Sequence, residues 1–251
     1  RRQRQMCIRD SAKLIEQRTD GRVQITVFPA GQLATGERAL LEQVQLGAAD
    51  LAVTATGVLS GFVPEFAVVD LPFLFRDYAH ASKVLDGPVG DRLLGLLERA
   101  GLKGLAFWEN GFRHFTNSVR PIQRPEDLRG LKIRTMENPI HIDAVRQLGA
   151  LPTPMAWPIY TELQTRVIDG QENPVAIIYV SKFWEVQRFL ALTGHFYSAA
   201  PITMNLRRFN SLPLELQALF VRTAREVARY ERSLIRNQER KQLEELRQHG
   251  M

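Results

Sequence analysis

Two periods of apolar residues take turns along this chain, one alternating and one helical. Residues 11–18 have helical spacing, closed by the Thr19-Asp20-Gly21 turn. In residues 22–28, Val23, Ile25 and Val27 share one face of a predicted strand, which residues 29–31 end. Thr35-Gly36 leads into a predicted helix over 37–46, with Leu40, Leu41 and Val44 on one side and Gly47 as the stop. A strand is predicted over 50–56, and an apolar segment over 62–75 is broken by Pro64 and Pro72. Asp77 caps one helix, and Pro88 starts another that ends at Gly101. Next come a strand over 102–108, a one-turn helix over 124–130 and a strand over 131–136. Helices are predicted at 140–148, 159–168 and 175–186, and strands near 189–193 and 201–206. Strands alternating with helices predict an α/β fold whose sheets are covered by helices.

The last element is unusually long. After Pro213 the helical spacing of Leu216, Leu219, Phe220, Val227, Leu234, Leu243 and Leu246 continues to about residue 248. At about 1.5 Å per residue this is a rod of roughly 50 Å. A domain of some 100 residues has a radius of gyration of about 13 Å and is narrower than that. The expectation is a two-lobed fold with this helix crossing both lobes or kinking between them. The predicted partition is residues 1–110 and 199–238 for the first lobe, 111–198 and 239–251 for the second.

Composition narrows the class. A chain of 251 residues with 45% hydrophobic and 24% charged residues is ordinary for a globular protein. No apolar run approaches the roughly 18–20 residues needed to span a bilayer. The net charge is +6, and four arginines against one aspartate in residues 1–10 carry half of it. Much of the remaining basic charge sits on the last helix, interleaved with glutamates, which is the pattern of a solvated face rather than a nucleic-acid stripe. One cysteine, Cys7, permits no internal disulfide. The first ten residues have no apolar core for a signal peptide, so either the protein is cytoplasmic or its true N-terminus is missing.

Candidate chemistry centres on residues 107–174. Arg134 lies near the carboxyl end of a predicted strand, where ligands of open α/β sheets bind. A guanidinium there offers a carboxylate two parallel hydrogen bonds and keeps its charge when dehydrated. The pattern alone fits a solvent-facing strand arginine equally well. Arg113, after Asn110-Gly111, reads as a second candidate or as a turn-flanking charge. Asn173, before Pro174, reads as a helix N-cap or a ligand group, and the residues 169–174 as a polar turn opening a helix. Trp157 and His195 each have a plain core reading beside the ligand one. No nucleophile elbow, phosphate loop or zinc-protease motif is present. His141-Ile-Asp143 is too few groups for a metal. No catalytic residue, metal site or cofactor is expected.

Several motifs in one order carry a resemblance: Pro64-Glu-Phe, Asp70-Leu-Pro-Phe-Leu-Phe75, Asn117-Ser118, Leu128-Arg-Gly-Leu-Lys-Ile-Arg134, Pro152-Thr-Pro-Met-Ala156, Asp169-Gly-Gln-Glu-Asn173-Pro174 and Lys182-Phe-Trp-Glu-Val-Gln187. Over about residues 11–245 the chain resembles the dicarboxylate-type solute-binding proteins of TRAP transporters. The resemblance implies a two-lobed periplasmic receptor that closes on a small organic anion and delivers it to the membrane subunits of a sodium-driven TRAP transporter. It implies that Arg134 clamps the carboxylate in an interlobe cleft. It places Arg113, Asn173 and Trp157 in the pocket, and by looser alignment Glu37, Thr54, Thr56, Glu137 and His195. Dicarboxylates, keto acids and uronates all fit. Ala55 and Val58 stand where sialate receptors of the family carry a glutamate and an arginine, which argues against sialate. Family members begin with a signal peptide and a further strand, so the expectation is a fragment whose residues 1–10 are foreign to the fold. The competing readings are an enzyme using Glu109, His114 or His141 on a similar frame, and a ligand-sensing module.

Overall fold

In a computed structural model, the backbone is described for residues 2–29 and 31–251, and side chains from Cys7 onward except at Ala30. Arg1, the side chains of residues 2–6 and Ala30, part of the predicted stop at 29–31, lie outside the described residues. The chain runs α1 (Arg2–Arg18), α2 (Glu37–Leu46), β1 (Leu51–Val53), α3 (Thr56–Leu59), α4 (Tyr78–Leu85), α5 (Pro88–Leu96) and β2 (Leu102–Asn117). It continues through β3 (Lys132–Thr135), α6 (Pro139–Gln147), β4 (Leu151–Pro154), α7 (Tyr160–Gln164), β5 (Gly170–Pro174) and α8 (Val175–Val180). It finishes with β6 (Phe189–Asn205), α9 (Leu206–Asn210) and the 35-residue α10 (Leu214–Gln248). Short 3-10 helices occupy Pro64–Asp70, Leu97–Ala100, Pro125–Leu128 and Phe183–Glu185. The strands form one sheet in the order β1-β6-β2-β5-β3-β4. This is the mixed α/β architecture with a long C-terminal helix that the spacing predicts.

Two compact units share the chain. Unit 1 comprises residues 1–55, 82–109 and 199–234, and unit 2 comprises 56–81, 110–198 and 235–251. Residues 56–81 belong with unit 2. In unit 1 the core gathers Cys7 and Ile15 of α1, Leu105 and Trp108 of β2, Ile202 and Met204 of β6, and Phe220 and Val227 of α10. Helix α1 thus begins well before residue 11, and Cys7 packs with that core rather than standing apart from the fold. Residues 22–28 keep their alternation, with Val23 and Ile25 against the core, but are assigned no strand. Alternation buries one side of an extended segment, whereas a strand also needs a neighbouring backbone to pair with.

Unit 2 has two apolar clusters. Phe115, Leu128, Leu131, Ile133, Val145 and Ala150 pack β2, β3 and α6 together. Ile159, Leu163, Ile168, Val175, Ile178, Phe183 and Leu246 pack α7 and α8 against the end of α10. The predicted helices over 159–168 and 175–186 are cut short where Arg166 (φ 59°) and Lys182 (φ 55°) turn left-handed. Helix α6 starts where Asn138 Oδ1 accepts from Ile140 N at 2.8 Å and His141 N at 3.2 Å, with Pro139 in the first turn. Strands β3 and β4 are parallel, β3 and β5 are parallel, and β5 is antiparallel to β2. Gly170 opens β5 because nothing larger fits: a Cβ there would lie 2.1 Å from the Thr116 carbonyl oxygen.

Candidate functional site

Arg134 sits on β3, between β4 and β5, opposite Thr153 on one side and Gln171 on the other. It is 4% exposed, so it is not the solvent-facing arginine that the pattern equally allowed. Its Nε and Nη2 donate to the Met155 carbonyl at 2.9 and 2.7 Å. Its guanidinium carbon lies 6.0 Å from the ring centre of Trp157. Trp157 is half-buried and leans on Phe183, with ring centres 5.8 Å apart. A guanidinium fixed by a backbone carbonyl beside an aromatic ring has lost side-chain freedom before any ligand arrives, which lowers the cost of binding an anion.

Beside Arg134's neighbour Gln171, strand β5 carries the charged centre of unit 2. Glu172 is fully buried, and Arg113 of β2, 2% exposed, grips it in a fork. Arg113 Nε donates to Glu172 Oε2, and Nη2 donates to Oε1 at 2.7 Å and to the Glu172 carbonyl at 2.6 Å. Two imidazoles face the same carboxylate: His141 Nδ1 at 3.6 Å and His195 Nε2 at 3.5 Å. Burial alone would raise the Glu172 pKa, but Arg113 and the two histidines outweigh it and hold the carboxyl well below its ordinary range. His141 Nε2 lies 3.9 Å from Asp70, whose oxygens accept from Thr56 Oγ1 and from Asn138 Nδ2, each at 3.0 Å. Asn138 Nδ2 also donates to the Gly57 carbonyl at 3.0 Å and Ser60 Oγ at 3.2 Å, fastening residues 56–81 to the start of α6.

The three buried histidines differ. Burial lowers His141's pKa, but its two carboxylate partners outweigh this and leave it raised. For His195 burial wins over Glu172 and the pKa is lowered. Burial, His195 and Arg113 lower His114 to about 4. His114 Nδ1 accepts from Gly194 N at 3.0 Å, which requires that nitrogen to be unprotonated.

Of the residues singled out from sequence, Arg113, His195 and Thr56 belong to this ion-pair network, and Arg134 and Trp157 stand together on its β3 flank. The predicted cap at Asn173 is corrected. Residues 170–174 form a buried strand, the cap position of α8 is Pro174 without a side-chain bond, and Asn173 Nδ2 donates to Gln171 Oε1 at 2.6 Å. Glu137 is exposed. Glu37 and Thr54 belong to unit 1, where Glu37 accepts from Ala55 N at 3.1 Å and Thr54 is fully buried. Of the residues offered for an enzyme, Glu109 is buried in unit 1, while His114 and His141 belong to unit 2. Among the described residues no group of His, Cys, Asp or Glu is arranged to hold a metal. Sequence reasoning missed Glu172, Asp70 and Asn138. Glu172 lay in the polar run 169–174, where five consecutive buried positions, 170–174, leave no alternation to mark a strand.

Comparisons with known proteins identify the family to which the chain belongs. Residues 8–251 match the bacterial extracellular solute-binding proteins, family 7, and the chain belongs to that family. It is 46% identical over 241 residues to a solute-binding protein of Verminephrobacter eiseniae, covering 96% of this chain and 72% of that one. It is 41% identical over 239 residues to the 2,3-diketo-L-gulonate-binding periplasmic protein of Escherichia coli, covering 95% and 73% of the two chains. A TRAP periplasmic solute-binding protein of Polaromonas sp. JS666, solved with bound D-erythronate, superposes with a TM-score of 0.95 at 45% identity, covering 98% of this chain and 81% of that one. The motif resemblance and the α/β fold are both borne out. No helix among the described residues is long and apolar enough to cross a membrane.

Proposed function

We propose that this chain is the extracytoplasmic receptor of a TRAP transport system, and that it captures a hydroxylated or keto monocarboxylate through Arg134. The observation that carries the reading is the state of Arg134: a nearly buried guanidinium, fixed by the Met155 carbonyl and flanked by Trp157. Bidentate pairing with a carboxylate is the interaction for which such a fork is shaped. Arg113 has a different task in this reading. Its fork is taken by Glu172, so it braces β5 and thereby Gln171 and Asn173. The solutes named for the two relatives, 2,3-diketo-L-gulonate and D-erythronate, each combine one carboxylate with several other oxygens. Capture and delivery to sodium-driven membrane subunits, rather than turnover, is the role that follows.

The test is a thermal-shift series with D-erythronate, D-glucuronate and C4-dicarboxylates, each beside its amide or a neutral sugar. Ligand at about 100 times Kd adds roughly 2.7 kcal/mol. For a chain of this size that raises Tm by about 5–10 °C. Carboxylates should give this shift and amides should not; equal shifts from both would remove the carboxylate clamp. Recovery of unaltered acid after prolonged incubation supports a receptor, and conversion of it would support an enzyme.

A further inference from the structure

The ring of His141 lies between two buried carboxylates, and its geometry asks for a proton on each nitrogen. Nδ1 faces Glu172 Oε1 at 3.6 Å and Nε2 faces Asp70 Oδ1 at 3.9 Å. A neutral imidazole carries one N–H, so its other nitrogen would turn a lone pair toward a carboxylate. Phe196 stacks on the ring with centres 4.1 Å apart, which holds the imidazole in this plane. His195 is different, because only Nε2 faces a carboxylate while Nδ1 is paired with Thr193 Oγ1 at 2.7 Å. One proton satisfies it.

Charge gives the same answer. The groups around His141 are Asp70 from the turn Pro64–Asp70, Glu172 from β5, Arg113 from β2 across the Glu172 carboxylate, and His195 from β6. With His141 protonated and His195 neutral, two cations meet two anions. With His141 neutral, the buried cluster carries a net negative charge, which an interior tolerates poorly.

We propose that His141 is a positioning residue of the binding site: as an imidazolium shared by Asp70 and Glu172, it ties the segment 56–81 to strand β5, the strand that pairs with Arg134. The inference rests on the receptor reading given above. On one flank, Gln171 pairs with Arg134, and Glu172 follows it. Along the chain, Asn138 lies four residues beyond Arg134, bonds to Asp70 and caps the helix that bears His141. Losing the proton loosens both ties together, so affinity for the acid falls as pH rises through the His141 pKa. That pKa is raised by the two carboxylates in spite of burial, so the fall begins above about 6.5, the ordinary imidazole value.

The test uses the whole chain with 15N-labelled histidine. At pH 6.5 both nitrogens of His141, assigned by their loss in H141Q, should show the protonated signature, and they should titrate above free imidazole. A neutral-tautomer signature at that pH overturns the proposal. Calorimetric titration with D-erythronate should give H141Q about tenfold weaker binding at pH 6.5, and the gap should close as wild type loses its proton. The double variant D70N/H141Q, which restores neutrality, should recover most of the affinity. A gap constant with pH, or no gap, overturns the positioning role. Should H141Q fail to fold, the wild-type affinity must still fall at the pH where the ring titrates, or the proposal is wrong. If D-erythronate, D-glucuronate and C4-dicarboxylates all fail to bind, the carboxylate-receptor reading falls and the positioning role with it. The imidazole signature then still shows whether the Asp70–His141–Glu172 tie exists.

Discussion

Replacing Glu172 by glutamine keeps the shape of the side chain and removes its charge, and the consequence is large because nothing around it is wet. Glu172 is fully buried and Arg113 is 2% exposed. In E172Q the Arg113 guanidinium keeps the carbonyl of residue 172 but loses a two-point carboxylate partner, and His141 and His195 lose the same negative charge. Breaking one side of a buried ion pair costs about 3–5 kcal/mol. For a chain of this length this corresponds to a Tm lower by about 6–20 °C. The pH dependence has a definite sign. A carboxyl whose folded pKa lies well below its ordinary value contributes stability that is present above about pH 4.3 and lost as pH falls through the folded pKa. Wild type should therefore keep the advantage over E172Q at pH 7 and 5 and lose it only in stronger acid. Differential scanning calorimetry across this range measures it, with R113M and R113M/E172Q completing a double-mutant cycle. A Tm change under about 2 °C at pH 7, or strict additivity in the cycle, would refute the view that this pair is the electrostatic centre of unit 2.

Other outcomes follow from single contacts. G170A puts a methyl group 2.1 Å from the Thr116 carbonyl oxygen. It should cost about 1–3 kcal/mol or more in urea unfolding, by prying β5 from β2; an unchanged midpoint would show that the strands separate freely. His114, lowered to about 4, stabilises the fold fully above its ordinary value near 6.5, and that contribution declines as pH falls from 6.5 toward 4. H114N, which keeps an acceptor for Gly194 N, should flatten that part of the Tm-against-pH curve, and an unaltered slope would place the acid sensitivity elsewhere.

Much of the helical framework was legible because its ends carry chemical punctuation. Helix α2 ends at Gly47 (φ 83°), the Leu97–Ala100 turn at Gly101 (φ 70°), and Asp77 Oδ1 accepts from His80 N at 2.7 Å. The long helix declared itself by spacing alone. Strands fared worse. β4 is Leu-Pro-Thr-Pro, a composition that argues against a strand, and it survives at the sheet edge where a missing N–H costs little. The two strands expected near 189–193 and 201–206 are one, β6, which runs on through the residues between them. The site divides the same way. Arg134 was visible from its strand and motif, whereas Glu172 takes its meaning from partners 59 residues earlier on β2, 31 residues earlier on α6 and 23 residues later on β6. Such non-local pairing leaves no trace in a local window.

The central claim, that Arg134 holds the carboxylate of the captured acid, is tested most directly by isothermal titration of D-erythronate and D-glucuronate into wild type, R134K and R134A. The account predicts micromolar or tighter binding, worth about −8 kcal/mol, for at least one acid with wild type. R134K, which offers a point charge in place of the fork, should bind that acid at least about tenfold more weakly. R134A should show no heat of binding while its far-ultraviolet circular dichroism and Tm stay near wild type. Retained affinity in a folded R134A would contradict the account.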